Sequence, residues 1–440
     1  MDYFYRSILQ ELVQWKNQKD RKPLVLRGAR QVGKTTVVEM FAREFEQYIY
    51  LNLERENDRE LFEGDYTFDE ALEALFFLNN KSRDNGATLV FIDEIQQSPK
   101  SVDDLRYFYE DAPDIYVIAA GSLLETLIDT HISFPVGRVE YKVIRAFSFE
   151  EYLYARNEQQ ALELVRHKIP CPAYAHNKLS KLFFHYTLIG GMPAVLKKFA
   201  EAEDLTALQS IYESLLTSYL NDVEKYARND SMARVIRHTI RHIFYYPAAR
   251  ITFNGFGQSS YRYREIKEAF DVLEKAMLVQ VVYPVTSTKI PAQPNLKKRP
   301  RLLVLDTGLA NYFSGMQKPL FKSRNVEEVY QGQIAEHITA QQIQALSSAP
   351  MYMLHFWTRE KKDSNAEVDF VYPWEDMLIP LEVKSGAKGS LRSLHQFMDK
   401  SVHPYAVRVY SGKLQVEKAQ TVSGTLFYLL NLPFYLLNQL

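Results

Sequence analysis

The segment that decides the fold lies near the start of the chain, where residues 24–36 read LVLRGARQVGKTT. Residues 24–27 form a short apolar run typical of a buried strand, and residues 28–35 fit the pattern GxxxxGK[ST] without a mismatch. A helical stretch follows, which is the context that this pattern requires. Because the backbone N–H groups of such a loop converge at a helix N-terminus, the segment predicts a phosphate-binding turn.

We expect the whole turn to surround a bound triphosphate. Lys34 is expected to reach the β- and γ-phosphates, and the hydroxyl group of Thr35 is expected to coordinate Mg²⁺. The residues predicted to bind the nucleotide are Gly28, Ala29, Arg30, Gln31, Val32, Gly33, Lys34, Thr35 and Thr36.

Two acidic residues follow an apolar run further along the chain, at residues 89–94, which read LVFIDE. If this strand ends beside the phosphate loop, Asp93 holds Mg²⁺, directly or through water, and Glu94 activates the attacking water. Two solvated acids at a strand end would give the same pattern. Together with the loop, however, the pair favours ATP as the ligand and Mg²⁺ as the cofactor.

Two further residues are weaker candidates for catalysis. The apolar run at 115–119 leads towards Ser122, whose hydroxyl group either contacts the γ-phosphate and orients the water or caps a helix over 123–128. Arg138 either stabilises transition-state charge, in its own chain or from a neighbouring subunit, or is an ordinary surface arginine. The sequence leaves both alternatives open for each residue.

Composition and charge limit the class of protein. The chain has 440 residues, of which 46% are hydrophobic, so it can bury several cores and is neither disordered nor fibrous. Its formal net charge of -1 predicts no partner. Its single cysteine, Cys171, excludes an internal disulfide and a thiolate metal cluster. The chain shows no secretory signal pattern and no apolar run that spans a bilayer, so we expect a cytoplasmic protein without a membrane partner.

Strand-like and helix-like patterns alternate up to about residue 150, which predicts an α/β sheet of parallel strands. From about 150 to 230 the pattern is helical, with a break at Gly190–Gly191. The end of the chain, 426–440, predicts a closing strand or a core helix. The other strands predicted are 24–27, 48–53, 88–92, 115–119, 278–285, 301–305, 351–357, 367–372, 378–384 and 405–410, and the helices predicted include 34–46, 68–80 and 263–276.

Residues 231–301 carry a strong excess of positive charge. This segment contains thirteen Lys and Arg residues and four acidic residues, which gives a net charge of +9 within a chain of net charge -1. Short helices there lead into two strands, the outline of a winged helix-turn-helix whose basic face suits the phosphate backbone of DNA. The alternative is a winged helix that packs between domains against an acidic surface. Candidate DNA contacts are Arg262, Arg264 and Lys267 near the recognition-like helix and Lys297, Lys298 and Arg299 on the wing.

The motifs together give the chain a resemblance to a known family. It resembles bacterial and archaeal AAA+ ATPases that join an AAA-type core to a C-terminal domain of unknown function with a restriction-endonuclease-like fold. The residues that carry the resemblance are GARQVGKTT at 28–36, LVFIDEIQ at 89–96, AAGSLLE at 119–125, FSFEEYL at 147–153, GGMPAVL at 190–196, LDTGLA at 305–310, AEVDFVY at 366–372 and LEVKSG at 381–386.

This resemblance implies an α/β fold class, with a P-loop AAA-type parallel sheet core, a helical lid, a winged helix and a C-terminal restriction-endonuclease-like α/β domain. Matched by position, Lys34 and Thr35 are the phosphate-binding pair, and Ser122 is the polar sensor after the next strand. Asp93 and Glu94 match the metal-binding and water-activating pair. The domain boundaries that we predict are 1–155 for the core, 156–230 for the lid, 231–315 for the winged helix and 316–440 for the last domain.

An acidic set with one lysine lies in the last predicted domain. Glu336 falls on a helix and Asp369 in a strand, while Glu382 and Lys384 share one face of the next strand. If Asp369 lies beside them, two carboxylates hold a divalent cation and Lys384 positions or polarises a water. The set resembles that of nucleases with the PD-(D/E)xK motif, although Pro380 departs from the usual place of the proline. A solvated strand face with a surface ion pair is the alternative.

Three functions are open at this point. The leading hypothesis is an ATPase whose Mg²⁺-dependent hydrolysis acts with or on DNA, bound through 231–301. The second is a nucleotide-switched regulatory or interaction protein with an inert nuclease-like fold, and the third is an ATP-controlled nuclease. The sequence leaves open whether the chain forms a homo-oligomer or binds a protein partner.

Overall fold

The chain forms two compact units in the computed structural model, which describes residues 4–121, 134–167, 171–323, 332–350, 352–360, 366–385 and 390–440. The first unit comprises Met1–Arg145 together with Lys275–Met277 and Ser348–Met351. The second unit comprises Ala146–Glu274, Leu278–Ser347 and Tyr352–Leu440. The four domain boundaries predicted from the sequence stay predictions.

The first unit is built on a sheet in which every strand pair is parallel, in the order β2-β3-β4-β1-β5. Its strands are β1 (Leu24–Arg27), β2 (Gln47–Asn52), β3 (Thr88–Asp93), β4 (Tyr116–Ala120) and β5 (Glu140–Val143). Its helices are α1 (Ile8–Lys16), α2 (Lys34–Phe41), α3 (Glu56–Glu63), α4 (Phe68–Leu78) and α5 (Pro99–Glu110). Since all strands are parallel, their carboxyl ends meet at one edge of the sheet.

The apolar runs of the sequence fix the centre of this sheet. β3 is buried at every position, as expected for a parallel strand covered on both faces. The four strands predicted before residue 120 are confirmed to within one residue at each end. The predicted helix 34–46 is shorter, because α2 ends at Phe41 and a single 3-10 turn leads into β2. The edge strand β5 was not predicted, since its sequence EYKV is short and partly polar.

The second unit begins with helices and ends with a sheet. Its helices are α6 (Phe149–Ala155), α7 (Gln159–Arg166), α8 (His176–Ile189), α9 (Pro193–Ala202), α10 (Gln209–Tyr226), α11 (Asp230–Ile243), α12 (Tyr263–Lys275), α13 (Thr307–Phe313), α14 (Gln317–Ser323), α15 (Gln333–Ala345) and α16 (Arg392–Met398). Its strands are β6 (Val279–Val282), β7 (Pro284–Val285), β8 (Arg301–Val304), β9 (His355–Thr358), β10 (Glu367–Trp374), β11 (Met377–Lys384), β12 (Tyr405–Tyr410), β13 (Gln415–Gln420) and β14 (Leu426–Pro433). Across the described residues, helices with both the length and the apolar character of a bilayer span are absent.

Two sheets share these strands. β6 and β8 form an antiparallel pair, and the other strands form a mixed sheet in the order β13-β14-β12-β11-β10-β9-β7. The predicted strand 278–285 is therefore wrong as a single element. Its second part, β7, pairs with β9 in the large sheet, and it begins at Pro284, whose missing N–H group cannot extend the ladder with β8.

The motifs FSFEEYL, GGMPAVL and LDTGLA meet in the core of the second unit. The Phe147 N–H donates to the Gly191 carbonyl at 2.8 Å, and the Gly191 N–H donates to Asp306 Oδ2 at 2.6 Å. Asp306 Oδ1 accepts from the Leu309 N–H and so caps α13. Asp306 is completely buried, and this burial raises its pKa to about 6. The Asp306 carboxylate thus joins two of these segments, and the Phe147–Gly191 backbone hydrogen bond joins the third.

The contact between Gly190 and Asp306 gives a stability prediction. Gly190 has φ 76° and ψ -166°, a region that is essentially restricted to glycine, and a Cβ atom there would overlap the Asp306 carboxylate. We expect Gly190→Ala to lower the free energy of unfolding by roughly 3 kcal/mol or more, through strain and overpacking together. Urea unfolding followed by circular dichroism measures this loss.

Gly315→Ala is the matched control. Gly315 has φ 75°, but a Cβ atom there would meet nothing within 4 Å. The backbone cost alone is expected to be about 1–2 kcal/mol. If Gly190→Ala costs no more than Gly315→Ala, the packing of Asp306 against Gly190 does not constrain the fold as we describe it.

Candidate functional site

The phosphate-loop sequence forms a sharp turn between β1 and α2. Gly33 has φ 94° and Gln31 has φ 66°, so two positions of the turn adopt left-handed backbone conformations. Gly28 lies so close to the segment after β5 that a Cβ atom would stand 2.5 Å from the Ile144 carbonyl oxygen. Only glycine fits there without a shift of the neighbouring backbone. Ala29 and Val32 are buried.

The side chain of Arg6 holds this turn in place through hydrogen bonds. Its guanidinium donates to the Val32 carbonyl at 2.8 Å and to the Arg145 carbonyl at 2.7 Å, and the side chain is buried. It thereby links the phosphate loop to the segment that follows β5. Arg6 was not predicted from the sequence, because an isolated arginine ahead of an amphipathic helix carries no pattern that marks it.

Lys34 is folded into the turn that precedes it. Its Nζ donates to the carbonyl oxygens of Gly28 at 2.9 Å and Ala29 at 3.1 Å. Burial lowers the pKa of Lys34, and the nearby carboxylates of Glu94 and Asp93 act in the opposite direction. The amine therefore stands inside the loop, where its two carbonyl contacts can be exchanged for phosphate oxygens.

Thr35 and Asp93 are brought into direct contact. The Thr35 hydroxyl donates to Asp93 Oδ2 at 2.8 Å, and the Tyr50 hydroxyl on β2 approaches the same oxygen at 3.4 Å. Burial raises the pKa of Asp93, and the hydrogen bond from Thr35 partly offsets this. A hydroxyl and a carboxylate side by side are the hard oxygen ligands that Mg²⁺ prefers, so the two residues fit the predicted metal site.

Glu94 follows Asp93 with an unusual backbone. Its φ of 52° is left-handed, which turns the chain sharply at the end of β3. Gln96 donates to Glu94 Oε2, and burial raises the pKa of the Glu94 carboxyl group. The two acids thus differ in role: Asp93 is tied to Thr35, whereas Glu94 is held by the side chain of Gln96.

The two weaker candidates fare differently. Ser122 lies outside the described residues. Arg138 lies just before β5, in which Glu140 pairs with Leu24 at the start of β1, so it sits at the sheet edge opposite the phosphate loop. Its Nε donates to Glu110 at 2.6 Å. This position does not favour a role at the nucleotide of its own chain, and a catalytic role for Arg138, in its own chain or in a neighbouring subunit, stays a prediction.

The predicted acidic set of the second unit is brought together around a residue that the prediction left out. Arg301 on β8 donates to Glu336 at 2.8 Å and to Asp369 at 3.2 Å. On β11, Lys384 pairs with Glu382 at 2.7 Å. Asp369 Oδ2 also accepts from the N–H group of Val383, at 2.8 Å. Helix α15 and strands β10 and β11 therefore supply the set as expected, with an arginine between them.

The acidic groups of this cluster are close enough to shift one another's pKa. Burial raises the pKa of Glu336 and of Glu382 to about 8, and the neighbouring Asp369 carboxylate adds to the effect. Glu367 joins the cluster by pairing with both Arg301 and Arg250. The two residues that complete the cluster were not predicted from the sequence: Glu367 lacks a motif, and Arg301 was counted only in the basic excess of residues 231–301. Within the described ranges, groups of three or more His, Cys, Asp or Glu side chains arranged to hold a metal ion are absent.

The basic segment divides into exposed and engaged side chains. Lys267 pairs with Asp271, and Lys298 donates to Thr358 and to the Arg359 carbonyl. The ammonium groups of Lys267 and Lys298 are therefore less available for contacts with DNA. Exposed basic residues of the segment are Arg234, Arg241, Arg250, Arg262, Arg264, Lys289, Lys297 and Arg299, of which Arg250 pairs with Glu367.

Three family models match successive parts of the chain. Residues 20–153 match a model described as an AAA domain. Residues 180–320 and 331–435 match two models described as domains of unknown function, DUF8612 and DUF4143. A comparison with curated proteins gives no match.

Solved structures give weak similarities. The Walker-type ATPase PABY2304 of Pyrococcus abyssi is 14% identical, with a TM-score of 0.45 over 71% of this chain and 96% of that one. The Aeropyrum pernix ORC1 protein, in complex with DNA, is 14% identical, with a TM-score of 0.30 over 73% and 94%. The S. cerevisiae Hsp104–ADP complex is 12% identical, with a TM-score of 0.28 over 63% and 39%. These scores are too low to assign an activity.

The geometry and the family model lead to one conclusion for the first unit. A parallel sheet carries a phosphate loop after β1 and an Asp-Glu pair after β3, and the AAA model covers both motifs. Residues 20–153 form an AAA-type P-loop domain, that of an ATP-binding ATPase.

Proposed function

We propose that the first unit hydrolyses ATP in a Mg²⁺-dependent reaction, with the residues of the phosphate loop and the Asp93–Glu94 pair in the roles predicted from the sequence. The observation that supports this most strongly is the 2.8 Å hydrogen bond from Thr35 to Asp93. It joins the phosphate loop to the acidic strand end at the point where a nucleotide-bound metal ion is held in P-loop enzymes.

Each group of the site has a part in this reaction. Backbone N–H groups of residues 28–33 and the N-terminus of α2 bind phosphate oxygens. The ammonium group of Lys34 leaves the two loop carbonyls and donates to phosphate oxygens instead. Thr35 and Asp93 would hold Mg²⁺, which would supply positive charge to neutralise the phosphates. Glu94 accepts the proton of the attacking water, and Gln96 holds the Glu94 carboxylate in place.

Two substitutions separate binding from hydrolysis. Lys34→Ala removes the ammonium group that stabilises the phosphates, and we expect turnover to fall at least about 100-fold together with a loss of nucleotide affinity. Glu94→Gln removes the base alone, so we expect a comparable loss of turnover with affinity changed by less than about threefold. Phosphate release and the fluorescence of a labelled ATP analogue report the two quantities.

Lys100→Ala is the matched control for Lys34→Ala. Lys100 is an exposed lysine of α5, and its Nζ also donates to two backbone carbonyls, those of Gly64 at 2.9 Å and Tyr66 at 3.1 Å. We expect its removal to leave turnover unchanged. Normal turnover in Lys34→Ala, or equal losses in both variants, would contradict the proposed site.

We propose that the second unit comprises a helical lid, a winged helix and a restriction-endonuclease-like domain. The winged helix is supported by the order of α11, α12 and the antiparallel pair β6-β8, to which Arg250 adds an isolated bridge opposite Arg301. The nuclease-like fold is supported by the position of the acidic set on α15, β10 and β11. The lid corresponds to α7, α8, α9 and α10.

We further propose that the winged helix binds the phosphate backbone of DNA. Arg234, Arg237 and Arg241 recur on α11 at spacings of three and four, so they share one face of the helix. His238 lies on the same helix and makes an edge-on ring contact with Tyr261, which precedes α12. This basic face of α11 is therefore the surface that we assign to the phosphate backbone of a nucleic acid.

Charge removal on α11 tests DNA binding. The triple substitution of Arg234, Arg237 and Arg241 by Gln should weaken binding of duplex DNA at low salt at least about tenfold and lower the salt slope by about three. Fluorescence anisotropy at several salt concentrations measures both quantities. The control replaces three exposed lysines of α8 and α9, namely Lys181, Lys197 and Lys198, by Gln.

DNA binding that is equally weak or equally strong in both triple variants would contradict this surface. If the unmodified chain shows neither a salt-dependent complex nor DNA-stimulated turnover, the chain is instead a nucleotide-switched regulatory protein.

A further inference from the structure

The acidic cluster of the second unit is organised around one guanidinium group. Arg301 Nη1 donates to Glu336 and, at 3.2 Å, to the Asp369 carbonyl. Arg301 Nη2 donates to Glu367 and to the Asp369 carboxylate, and Nε donates to Glu367 at 2.9 Å. Every nitrogen of the guanidinium thus contacts an oxygen of the cluster. With 6% of its side chain exposed, Arg301 is buried among these acids.

Aromatic rings hold the guanidinium in this position. Its carbon lies 4.9 Å from the ring centre of Phe356 on β9 and 5.9 Å from that of Phe370 on β10. Such rings favour a cation through their negative faces. The planar fork of an arginine also matches several carboxylate oxygens at once, in a way that a flexible lysine does not.

A divalent cation does not fit this cluster as it stands. Asp369, the central acid of a nuclease-like set, has Oδ1 bonded to Arg301 and Oδ2 bonded to the Val383 N–H. Glu336 is paired with Arg301, and Glu382 Oε1 is paired with Lys384. Within the described part of this cluster, Glu382 Oε2 is a carboxylate oxygen that is buried without a hydrogen-bond partner. Mg²⁺ requires about six oxygen ligands at roughly 2.0–2.1 Å, whereas both oxygens of Asp369 and one oxygen each of Glu336 and Glu382 are already paired with cations or an N–H group of the protein.

We propose that Arg301 takes the place of the divalent cation in this carboxylate cluster, so that the second unit binds no catalytic metal while Arg301 is in position. The cation is supplied by β8, a strand of the winged-helix segment, and the acids are supplied by α15, β10 and β11. The cluster therefore fastens β8 to the large sheet, and it is a built-in ion-pair site instead of a nuclease centre. This inference is independent of ATP hydrolysis in the first unit.

Manganese binding tests this proposal directly. The full chain carries Asp93→Asn, which removes the proposed metal ligand of the first unit, and Mn²⁺ is added without nucleotide while electron paramagnetic resonance counts the free ion. With Arg301 present we expect no Mn²⁺ site that depends on Asp369. With Arg301→Met, which keeps an unbranched apolar side chain beside Phe356 and Phe370, we expect one Mn²⁺ with a Kd on the order of 10⁻⁴ M or lower.

Two further variants define the site. Adding Asp369→Asn to Arg301→Met should abolish the new Mn²⁺ site, because the central acid is then neutral. Arg250→Met is the matched control: Arg250 pairs with Glu367 at 3.3 Å from the edge of the cluster, and its loss should create no site because Arg301 still fills the centre.

Two results would overturn the proposal. The first is a Mn²⁺ ion that binds the chain with Arg301 intact and is lost in Asp369→Asn. The second is a folded Arg301→Met chain, with an unchanged circular dichroism spectrum, that binds no Mn²⁺. If Arg301→Met does not fold, the comparison of the Arg301-containing chain with its Asp369→Asn variant decides: an Asp369-dependent ion overturns the proposal, and its absence supports it.

Discussion

The hydrogen bond from Thr35 to Asp93 is the contact on which the nucleotide site depends. It connects the first turn of α2 with the end of β3, although β4 lies between β1 and β3 in the sheet. This contact is possible because all five strands are parallel, so the polar residues at their carboxyl ends reach one edge. Arg6 and Gly28 help to fix the position of the loop. Arg6 donates to the Val32 carbonyl, and Gly28 lies against the segment after β5.

The buried carboxylates of the two units have different kinds of partner. In the first unit, Asp93 is bonded mainly by hydroxyl groups, which leaves a place for an added cation. In the second unit, the cluster around Asp369 contains its own cation, Arg301. Burying several acids without a positive partner is costly, so each site needs a cation from somewhere. The source of that cation, solvent or the chain itself, distinguishes a metal-dependent catalytic site from a structural one.

Whether an element or a site residue could be predicted depends on how far apart in the sequence its interacting residues lie. Strands β1–β4 could be predicted because burial on both faces requires a run of consecutive apolar residues. The phosphate loop could be predicted because its motif lies within consecutive residues. The acidic set on α15, β10 and β11 was also brought together as expected. The roles of Arg6 and Arg301 could not be predicted, because each acts on residues far away in sequence and neither has a local pattern. The position of Arg138 depends on the register of β5 with β1, which a short polar edge strand does not reveal.

The account is tested most directly by the effect of Mg²⁺ on the affinity for a slowly hydrolysed ATP analogue, measured by titration calorimetry with the unmodified chain and with Thr35→Val. This substitution keeps the shape of the side chain and removes the hydroxyl group that meets Asp93. We expect Mg²⁺ to tighten binding at least about tenfold in the unmodified chain and to have little effect in the variant. An equal Mg²⁺ effect in both proteins would show that Thr35 and Asp93 do not share a metal ion.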